Sequence, residues 1–163
     1  MHKLQEQYLF LARHNIHSAE ELVGTIASLT DKKKETSAEK SRIYKARERS
    51  RELFTAADEM ENLKPAEQSY RLGDTFFEDE HRKWVALEQE LQAQGYSLEE
   101  VQALRRHYKE EYSEVCAKKK VVFRELNTGK AILNSMIPDS ISDGRKTEYN
   151  REIIRDRKEQ PVR

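Results

Sequence analysis

The chain has 163 residues, of which 37% are charged and 36% are hydrophobic. This composition, poor in Gly and Pro, is typical of long helices and coiled coils and excludes a thick globular core. Lys plus Arg and Asp plus Glu each number 30, so any contact with nucleic acid or a membrane must come from local charge. The lone Cys116 excludes an internal disulfide and predicts a reducing, cytoplasmic setting, and no apolar run is long enough to span a membrane.

Residues 3 to 14 are predicted to form a short, strongly apolar helix. Its apolar positions keep a helical spacing. They are Leu4, Tyr8, Leu11 and Ala12, with Leu9 and Phe10 widening the face. A helix this apolar should be covered on more than one side, and a break is expected after it at 15–17.

A second helix is predicted from Ser18, which forms a capping box with Glu21. In this motif the serine oxygen accepts from the amide of the glutamate, and the glutamate reaches back to the serine amide. The apolar seam of the helix is strong at both ends and weak from 31 to 40, where Lys, Glu and Ala still favour helix. Pro65 is predicted to break or kink the helix, because its ring removes an amide and clashes with the carbonyl four residues back. A third helix then ends at Gly73.

A fourth helix is predicted to place large apolar side chains on one face and to stop at Gly95, which fits a helix C-cap. These side chains are Phe76, Phe77, Trp84, Leu87 and Leu91. The longest helix runs from Ser97 to Met136 and begins with a second capping box, formed by Ser97 and Glu100. Gly129 lies inside this helix, where it costs about 1 kcal/mol relative to Ala, and it indicates a close helix crossing.

We expect an all-α fold, an elongated antiparallel helical hairpin or bundle in which two long, coiled-coil-like helices pack with shorter ones. When Leu22 is set opposite Met136, the stretches of the two long helices with the most regular apolar spacing lie side by side. A parallel arrangement stays open, because the short helices between them can reverse the chain direction or restore it. One helical domain is expected over 1–137. Residues 138–163 are expected to form a polar, partly disordered tail with little apolar surface to hold it.

No catalytic set can be assembled from this sequence, which leaves open whether the chain is an enzyme. His81 and His107 lack an identifiable nucleophile and orienting acid at helix spacing. The spacing of His14 and His17 can bind a metal from one helix face, but no cysteine or paired carboxylate lies nearby, so we interpret them as surface histidines. The acidic run at 78–80 lacks the alternating ligands and turn glycine of a calcium loop. We therefore expect no metal and no cofactor.

The distribution of charge along the helices says more about function than the histidines and carboxylates do. Each long helix carries a basic stretch, and in the antiparallel register the two stretches lie side by side as a phosphate-binding stripe. The candidate nucleic-acid-binding residues are Lys32, Lys33, Lys34, Arg42, Lys45, Arg49, Lys118, Lys119, Lys120 and Arg124. Only Tyr44 is an aromatic residue well placed among them, which favours backbone contact over base recognition. The alternative is that these are solvated helix faces with intrahelical Glu–Lys pairs.

Four segments of the chain, the first of them followed by a long charged helix, occur in a characteristic order. They are Y-L-F-L-A-R-H-N-I-H-S-A-E-E-L at 8–22, H-R-K-W-V-A-L-E-Q-E-L-Q-A-Q-G at 81–95, and Y-S-L-E-E-V-Q-A-L-R-R-H-Y-K-E-E-Y at 96–112 with A-I-L-N-S-M at 131–136. This pattern covers about residues 4 to 137. It resembles the helical C-terminal region of relaxases, the mobilisation nucleases of conjugative plasmids and integrative elements in Firmicutes and related gut bacteria.

In relaxases the nicking endonuclease is a separate N-terminal domain with a tyrosine nucleophile and a metal-holding histidine cluster, and this sequence lacks such a set. The resemblance implies a non-catalytic accessory domain in the cytoplasm. It would assist plasmid or transposon mobilisation by contacting the DNA backbone or by docking other transfer proteins, the latter on the acidic segment from Glu52 to Glu100. The alternative is a coiled-coil scaffold or oligomerisation protein, such as a homodimer, without DNA contact. No membrane contact is expected.

Overall fold

A computed structural model of the chain describes residues 2–137, and every regular element in that range is helical, as the sequence predicts. The polar tail predicted over 138–163 lies outside the described residues. In chain order the elements are α1 (His2–Arg13), α2 (Ala19–Arg49), α3 (Arg51–Arg71), a single 3₁₀ turn (Thr75–Phe77), α4 (Glu78–Ala93) and α5 (Leu98–Met136).

Both predicted capping boxes are present. The amide of Glu21 donates to Ser18 Oγ at 3.2 Å, and Glu21 Oε2 accepts from the amide of Ser18 at 3.2 Å. The amide of Glu100 likewise donates to Ser97 Oγ at 3.2 Å, while Glu100 Oε2 accepts from the amide of Ser97 at 2.8 Å. These bonds satisfy amides that have no partner within the helix, so the starts of α2 and α5 are fixed by local sequence.

Of the two effects predicted for Pro65, the helix break is wrong, because α3 continues through that residue and the chain instead turns at Ser50. A kink at Pro65 stays a prediction. The amide of Ser50 is shared between the carbonyls of Ala46 at 3.3 Å and Arg47 at 3.1 Å, and its hydroxyl also donates to the Ala46 carbonyl. Such side-chain competition for the helical carbonyls favours a local bend. At Pro65, burial of Met60 and Glu67 on either side holds the helix despite the lost amide.

The turn between α3 and α4 differs from the prediction at two aromatic residues, because Phe76 and Phe77 belong to the 3₁₀ turn and precede α4. Gly73, with φ of 102°, ends α3 as expected, and Asp74 then accepts from the amide of Phe76 at 3.1 Å to start the 3₁₀ turn. Phe76 therefore lies outside α4 and is 83% exposed, so its predicted place on the buried face of that helix is wrong. Gly95, with φ of 84°, stops α4 as predicted.

The chain forms two compact units. Unit 1 comprises, in the described range, residues 2–35 and 119–137, and unit 2 comprises Thr36–Lys118. Helices α2 and α5 each contribute one part to each unit. The single helical domain expected over 1–137 stays a prediction.

The core of unit 1 joins α1 to parts of α2 and α5. Its buried residues are Phe10, Leu22, Ile26, Leu29, Leu126 and Ile132. Helix α1 enters this core through Phe10, which is 2% exposed, and not through Leu4 and Tyr8, which are 75% and 70% exposed. The expected covering of α1 on more than one side is therefore wrong, because a twelve-residue helix on the edge of a narrow seam contacts it along one stripe only.

Gly129 lies where α1, α2 and α5 approach one another, and the predicted close crossing is confirmed. A Cβ atom at this position would lie 3.0 Å from Phe10 Cζ and 3.1 Å from Ile26 Cγ1. Further along α2, the ammonium of Lys33 lies 5.1 Å from the ring centre of Phe123. Residue numbers rise along α2 as they fall along α5, so the two helix parts in unit 1 are antiparallel, in the expected direction.

The core of unit 2 joins α3 and α4 to the first part of α5. Its buried residues are Leu53, Phe54, Ala56, Ala57, Met60, Trp84, Leu91 and Val101. Lys40 of α2 lies over the ring of Tyr112, with its ammonium 5.4 Å from the ring centre, and Arg105 bonds to the carbonyl of Phe54 at 2.9 Å. The rising numbers of α2 and α3 again meet falling numbers of α5, so the antiparallel direction holds here as well.

The crossing at Gly129 gives a prediction with a matched control in unit 1. Gly129→Ala is expected to lower the free energy of unfolding, because a methyl group pressed between two buried side chains costs about 1–3 kcal/mol. Gly24→Ala, in the interior of α2 with nothing within 4 Å of the added Cβ, should instead raise it by about 0.5–1 kcal/mol. Urea unfolding followed by circular dichroism measures both. Equal stabilisation by the two variants would contradict the close crossing.

Candidate nucleic-acid interface

The ten sequence-predicted basic residues are divided between the two units. Unit 1 contains Lys32, Lys33, Lys34, Lys119, Lys120 and Arg124, and unit 2 contains Arg42, Lys45, Arg49 and Lys118. Eight of them are exposed, while Lys33 and Lys119 are half-buried. Within unit 1 the cation–π contact of Lys33 with Phe123 brings the α2 stretch next to the α5 stretch, as the antiparallel register predicts.

Two of the predicted residues, Lys120 and Arg124, line a groove between α1 and α5, called here the unit 1 groove. Its volume is about 400 Å³. The groove is lined by Lys3, Glu6, Gln7, Lys120, Phe123, Arg124, Asn127, Thr128 and Ala131. Three cations against one carboxylate leave an excess of two positive charges. None of the three cations forms an ion pair among the described residues, so their charge is available to an anion.

Sequence reasoning missed Lys3 as a member of this groove. Lys3 and Gln7 are one turn apart on α1 and therefore share a face of that helix. The signal was weak, because Lys3 stands alone and does not belong to a charge run. The placement of α1 against α5 is what brings it next to Lys120 and Arg124.

The predicted cations of unit 2 stand on exposed surfaces of α2 and α5. Arg42, Lys45 and Arg49 are spaced at i, i+3 and i+7, which places them on one face of α2, and all three are exposed. This arrangement is compatible both with phosphate contact and with the solvated helix face that the sequence leaves open. Lys118 is exposed on α5.

A buried carboxylate in unit 2 is a feature that the sequence analysis missed. Glu67 is 3% exposed; its Oε1 accepts from Arg71 Nε at 2.7 Å, and its Oε2 lies 2.7 Å from His81 Nδ1. The His81 ring stacks on Tyr70 with 4.2 Å between ring centres. Burial raises the pKa of Glu67, but the hydrogen bonds from Arg71 and His81 outweigh it and hold the pKa below its ordinary value of 4.5.

The signal for Glu67 was present in the sequence. It follows Met60 by two turns and so continues the core-facing positions of α3, and Arg71 one turn later supplies its partner. Both carboxylate oxygens are occupied, which is the condition for burying such a group at low cost. The arrangement fixes His81, and with it the start of α4, against α3.

Histidine and acidic residues give no metal centre in the part of the chain that the structure describes, where no group of three or more His, Cys, Asp or Glu side chains is placed to hold an ion. His17 is exposed and bonds to Asn15 at 2.9 Å. His14 differs from the expected surface histidine. It is half-buried against Phe10, with 4.6 Å between ring centres, and its Nε2 lies 3.5 Å from Glu125 Oε2.

The fold and the grooves together define an all-α, helical-bundle protein with positively charged surface grooves. None of its described helices has an apolar stretch of the length and hydropathy needed to cross a membrane. Comparisons of the chain with protein families, curated proteins and solved structures find no match.

The Glu67 network gives a stability prediction. Glu67→Gln should lower the free energy of unfolding at pH 7 by about 1–3 kcal/mol, because it removes a buried, doubly bonded charge. Since the folded-state pKa of Glu67 lies below 4.5, the stabilisation is present above that pH and is lost as the pH falls through the folded value. The difference between variant and native protein should therefore shrink in acid.

Urea unfolding at a series of pH values tests this expectation, with Glu59→Gln as the control on an exposed site of the same helix. The control should change stability little at any pH. A Glu67→Gln effect that stays constant into the acid range would contradict the assignment of a charged Glu67 in the folded protein.

Proposed function

We propose that this chain is a non-catalytic accessory region of a conjugative DNA relaxase that assists mobilisation by contacting the DNA phosphate backbone in the cytoplasm. The observation that carries the proposal is the unit 1 groove, in which Lys3, Lys120 and Arg124 converge and none of the three forms an ion pair with a described residue. The resemblance of the sequence to the helical C-terminal region of relaxases supports the assignment to that class of enzyme. The local excess of positive charge supports DNA as the partner, even though the net charge of the chain is zero.

Backbone contact suits the chemistry of this groove. Lys and Arg side chains with no protein partner can replace the counter-ions of phosphates, and release of those counter-ions drives binding. The polar side chains of Gln7 and Asn127, which line the same groove, can donate to phosphate oxygens or sugars without reading sequence. Lys32, Lys34 and Lys119 extend the positive surface of unit 1 beyond the groove.

Docking of other transfer proteins is the second part of the proposed role, and it is assigned to the acidic segment in unit 2. Two large apolar side chains stand in that segment almost fully exposed, Leu72 at 89% and Phe76 at 83%. Carboxylates lie close to them in sequence at Asp74, Glu78 and Asp79. Apolar anchors with an acidic rim fit a partner with a basic surface around an apolar pocket.

DNA binding is expected to depend on the unit 1 groove. Lys120→Ala/Arg124→Ala should weaken binding of a fluorescently labelled single-stranded oligonucleotide. The slope of log affinity against log salt concentration should also fall by about 1.4, because each lost phosphate contact on a single strand contributes about 0.7. Fluorescence anisotropy at several salt concentrations measures both effects.

The matched control is Lys83→Ala/Arg106→Ala, which removes the same two residue types from exposed positions of unit 2 outside the candidate set. It should leave the salt slope nearly unchanged. No binding at low salt, or equal losses in the two double variants, would overturn DNA contact by the unit 1 groove.

Self-association without DNA contact is the second candidate function, and one observation favours it. Leu4 and Tyr8 stand one turn apart on α1 and are both largely exposed. Two large apolar residues on one helix face form a surface that a second copy of α1 can cover, as in a coiled-coil or scaffold protein.

If this surface mediates dimerisation, Leu4→Gln/Tyr8→Gln should convert a dimer into a monomer, and the native dimer should persist at high salt because its contacts are apolar. Sedimentation velocity at low and high salt measures the mass. Leu72→Gln/Phe76→Gln, which alters an exposed apolar pair in unit 2, is the control. A native protein that is monomeric at all concentrations would rule out this function.

A further inference from the structure

A second groove lies wholly within unit 2, between the end of α2, the start of α3 and the first part of α5. It is called here the unit 2 groove, and its volume is about 690 Å³, within the range of about 300–1,000 Å³ typical of sites for small ligands. None of the ten sequence-predicted basic residues lines it. The inference drawn from it therefore does not rest on DNA contact at the unit 1 groove.

One cation of this groove, Arg105, is already paired within the protein. Arg105 Nη1 donates to Asp58 Oδ1 at 2.6 Å, and its Nη2 donates to the carbonyl of Phe54 at 2.9 Å. The guanidinium also lies 5.0 Å from the centre of the Phe54 ring. The hydrogen bond from Arg105 holds the pKa of Asp58 below its ordinary value, so the two charges cancel over the neutral pH range.

The remaining charges in the groove are predominantly positive. Arg47, Arg51 and Lys109 line it together with the carboxylate of Glu48. None of the three cations forms an ion pair among the described residues. Three cations against one carboxylate leave an excess of two positive charges, which fits an anionic group such as a phosphate ester.

Aromatic side chains complete the groove. Tyr44 is 54% exposed and stands one turn before Arg47, on the same face of α2. Phe54 and Tyr108 lie edge to face, with 6.4 Å between ring centres, and form an apolar floor. An exposed ring beside unpaired arginines can stack on a flat aromatic group while the arginines hold an attached phosphate. An acidic peptide would use the cations but would leave the ring of Tyr44 without a stacking partner.

We propose that the unit 2 groove binds the phosphate ester of a nucleoside, with the phosphate held by Arg47 and Arg51 and the base stacked on Tyr44. A free nucleotide and one nucleotide of a single strand share this chemistry. Arg105 positions the floor of the groove through Asp58 and Phe54 and does not itself hold the phosphate.

Isothermal titration calorimetry of the full chain with dAMP, deoxyadenosine and inorganic phosphate tests the proposal. The dAMP should bind more tightly than either fragment. Arg47→Ala/Arg51→Ala should weaken dAMP binding at least tenfold, Tyr44→Ala should weaken it by about tenfold, and Tyr44→Phe should retain it, because stacking needs the ring and not the hydroxyl. Circular dichroism confirms that each variant is folded.

The matched control is Lys83→Ala/Arg106→Ala, which removes two cations from exposed positions of unit 2 outside the groove and outside the candidate set. It should leave dAMP binding unchanged, as should the Lys120→Ala/Arg124→Ala variant in unit 1. Absence of dAMP binding, equal affinity for dAMP and inorganic phosphate, or equal losses in the groove variant and the control would overturn the proposal. Failure of DNA binding at the unit 1 groove would leave this result unaffected.

A short deoxyadenosine oligonucleotide distinguishes the two sources of the ligand. Tighter binding of the oligonucleotide than of dAMP, lost in Arg47→Ala/Arg51→Ala, identifies one nucleotide of a strand as the occupant. If the oligonucleotide and dAMP bind with equal affinity per binding site, the occupant is the free nucleotide. Both results support the site, and dAMP binding that is insensitive to the unit 2 groove variants would overturn it.

Discussion

The narrow apolar seam that α5 forms, with α2 in unit 1 and with α3 in unit 2, is the constraint on which the structure depends. A helix with so many charged residues can bury only a thin stripe of its surface, and a seam between two such stripes encloses little apolar area. Each unit therefore requires a short helix to widen its core. In unit 1 this is α1, which inserts Phe10, and in unit 2 it is α4, which supplies Trp84 and Leu91. Gly129 matters because a Cβ atom there would lie 3.0 Å from Phe10 Cζ, so its absence leaves room for Phe10 at the seam.

The same constraint explains why the charged grooves lie beside the seam. Once the stripe is buried, the flanks of each helix stay polar, and the cations on those flanks stand next to apolar or aromatic residues at the edge of the core. Phe123 borders Lys120 and Arg124 in unit 1 in this way, and Tyr44 borders Arg47 in unit 2. A thin core thus leaves surfaces in which positive charge and exposed rings are neighbours, which is the combination that nucleic acids and nucleotides require.

Local signals in the sequence were sufficient for much of the fold. The capping boxes at Ser18 and Ser97 and the glycine at Gly95 depend on side chains within a few residues, so their predictions hold. The predictions that fail have two different causes. At Pro65 tertiary packing decides, because burial on either side holds a helix that propensity alone would interrupt. At Phe76 a local signal was missed, because Asp74, two residues earlier, caps the 3₁₀ turn that precedes α4. Propensity is a weak prior wherever tertiary contacts decide.

The grooves were harder to predict, because a sequence shows where cations are but not which of them are paired. Arg105 stands beside Arg106, and nothing in the local sequence shows that it is paired, because only the antiparallel packing of α5 against α3 pairs it with Asp58, far away in sequence. The same packing leaves Arg47 and Lys109 without an ion-pair partner among the described residues. Equal totals of acidic and basic residues therefore do not make this surface electrically uniform. The fold neutralises some cations and leaves others free, and the free ones determine which anions the protein can hold.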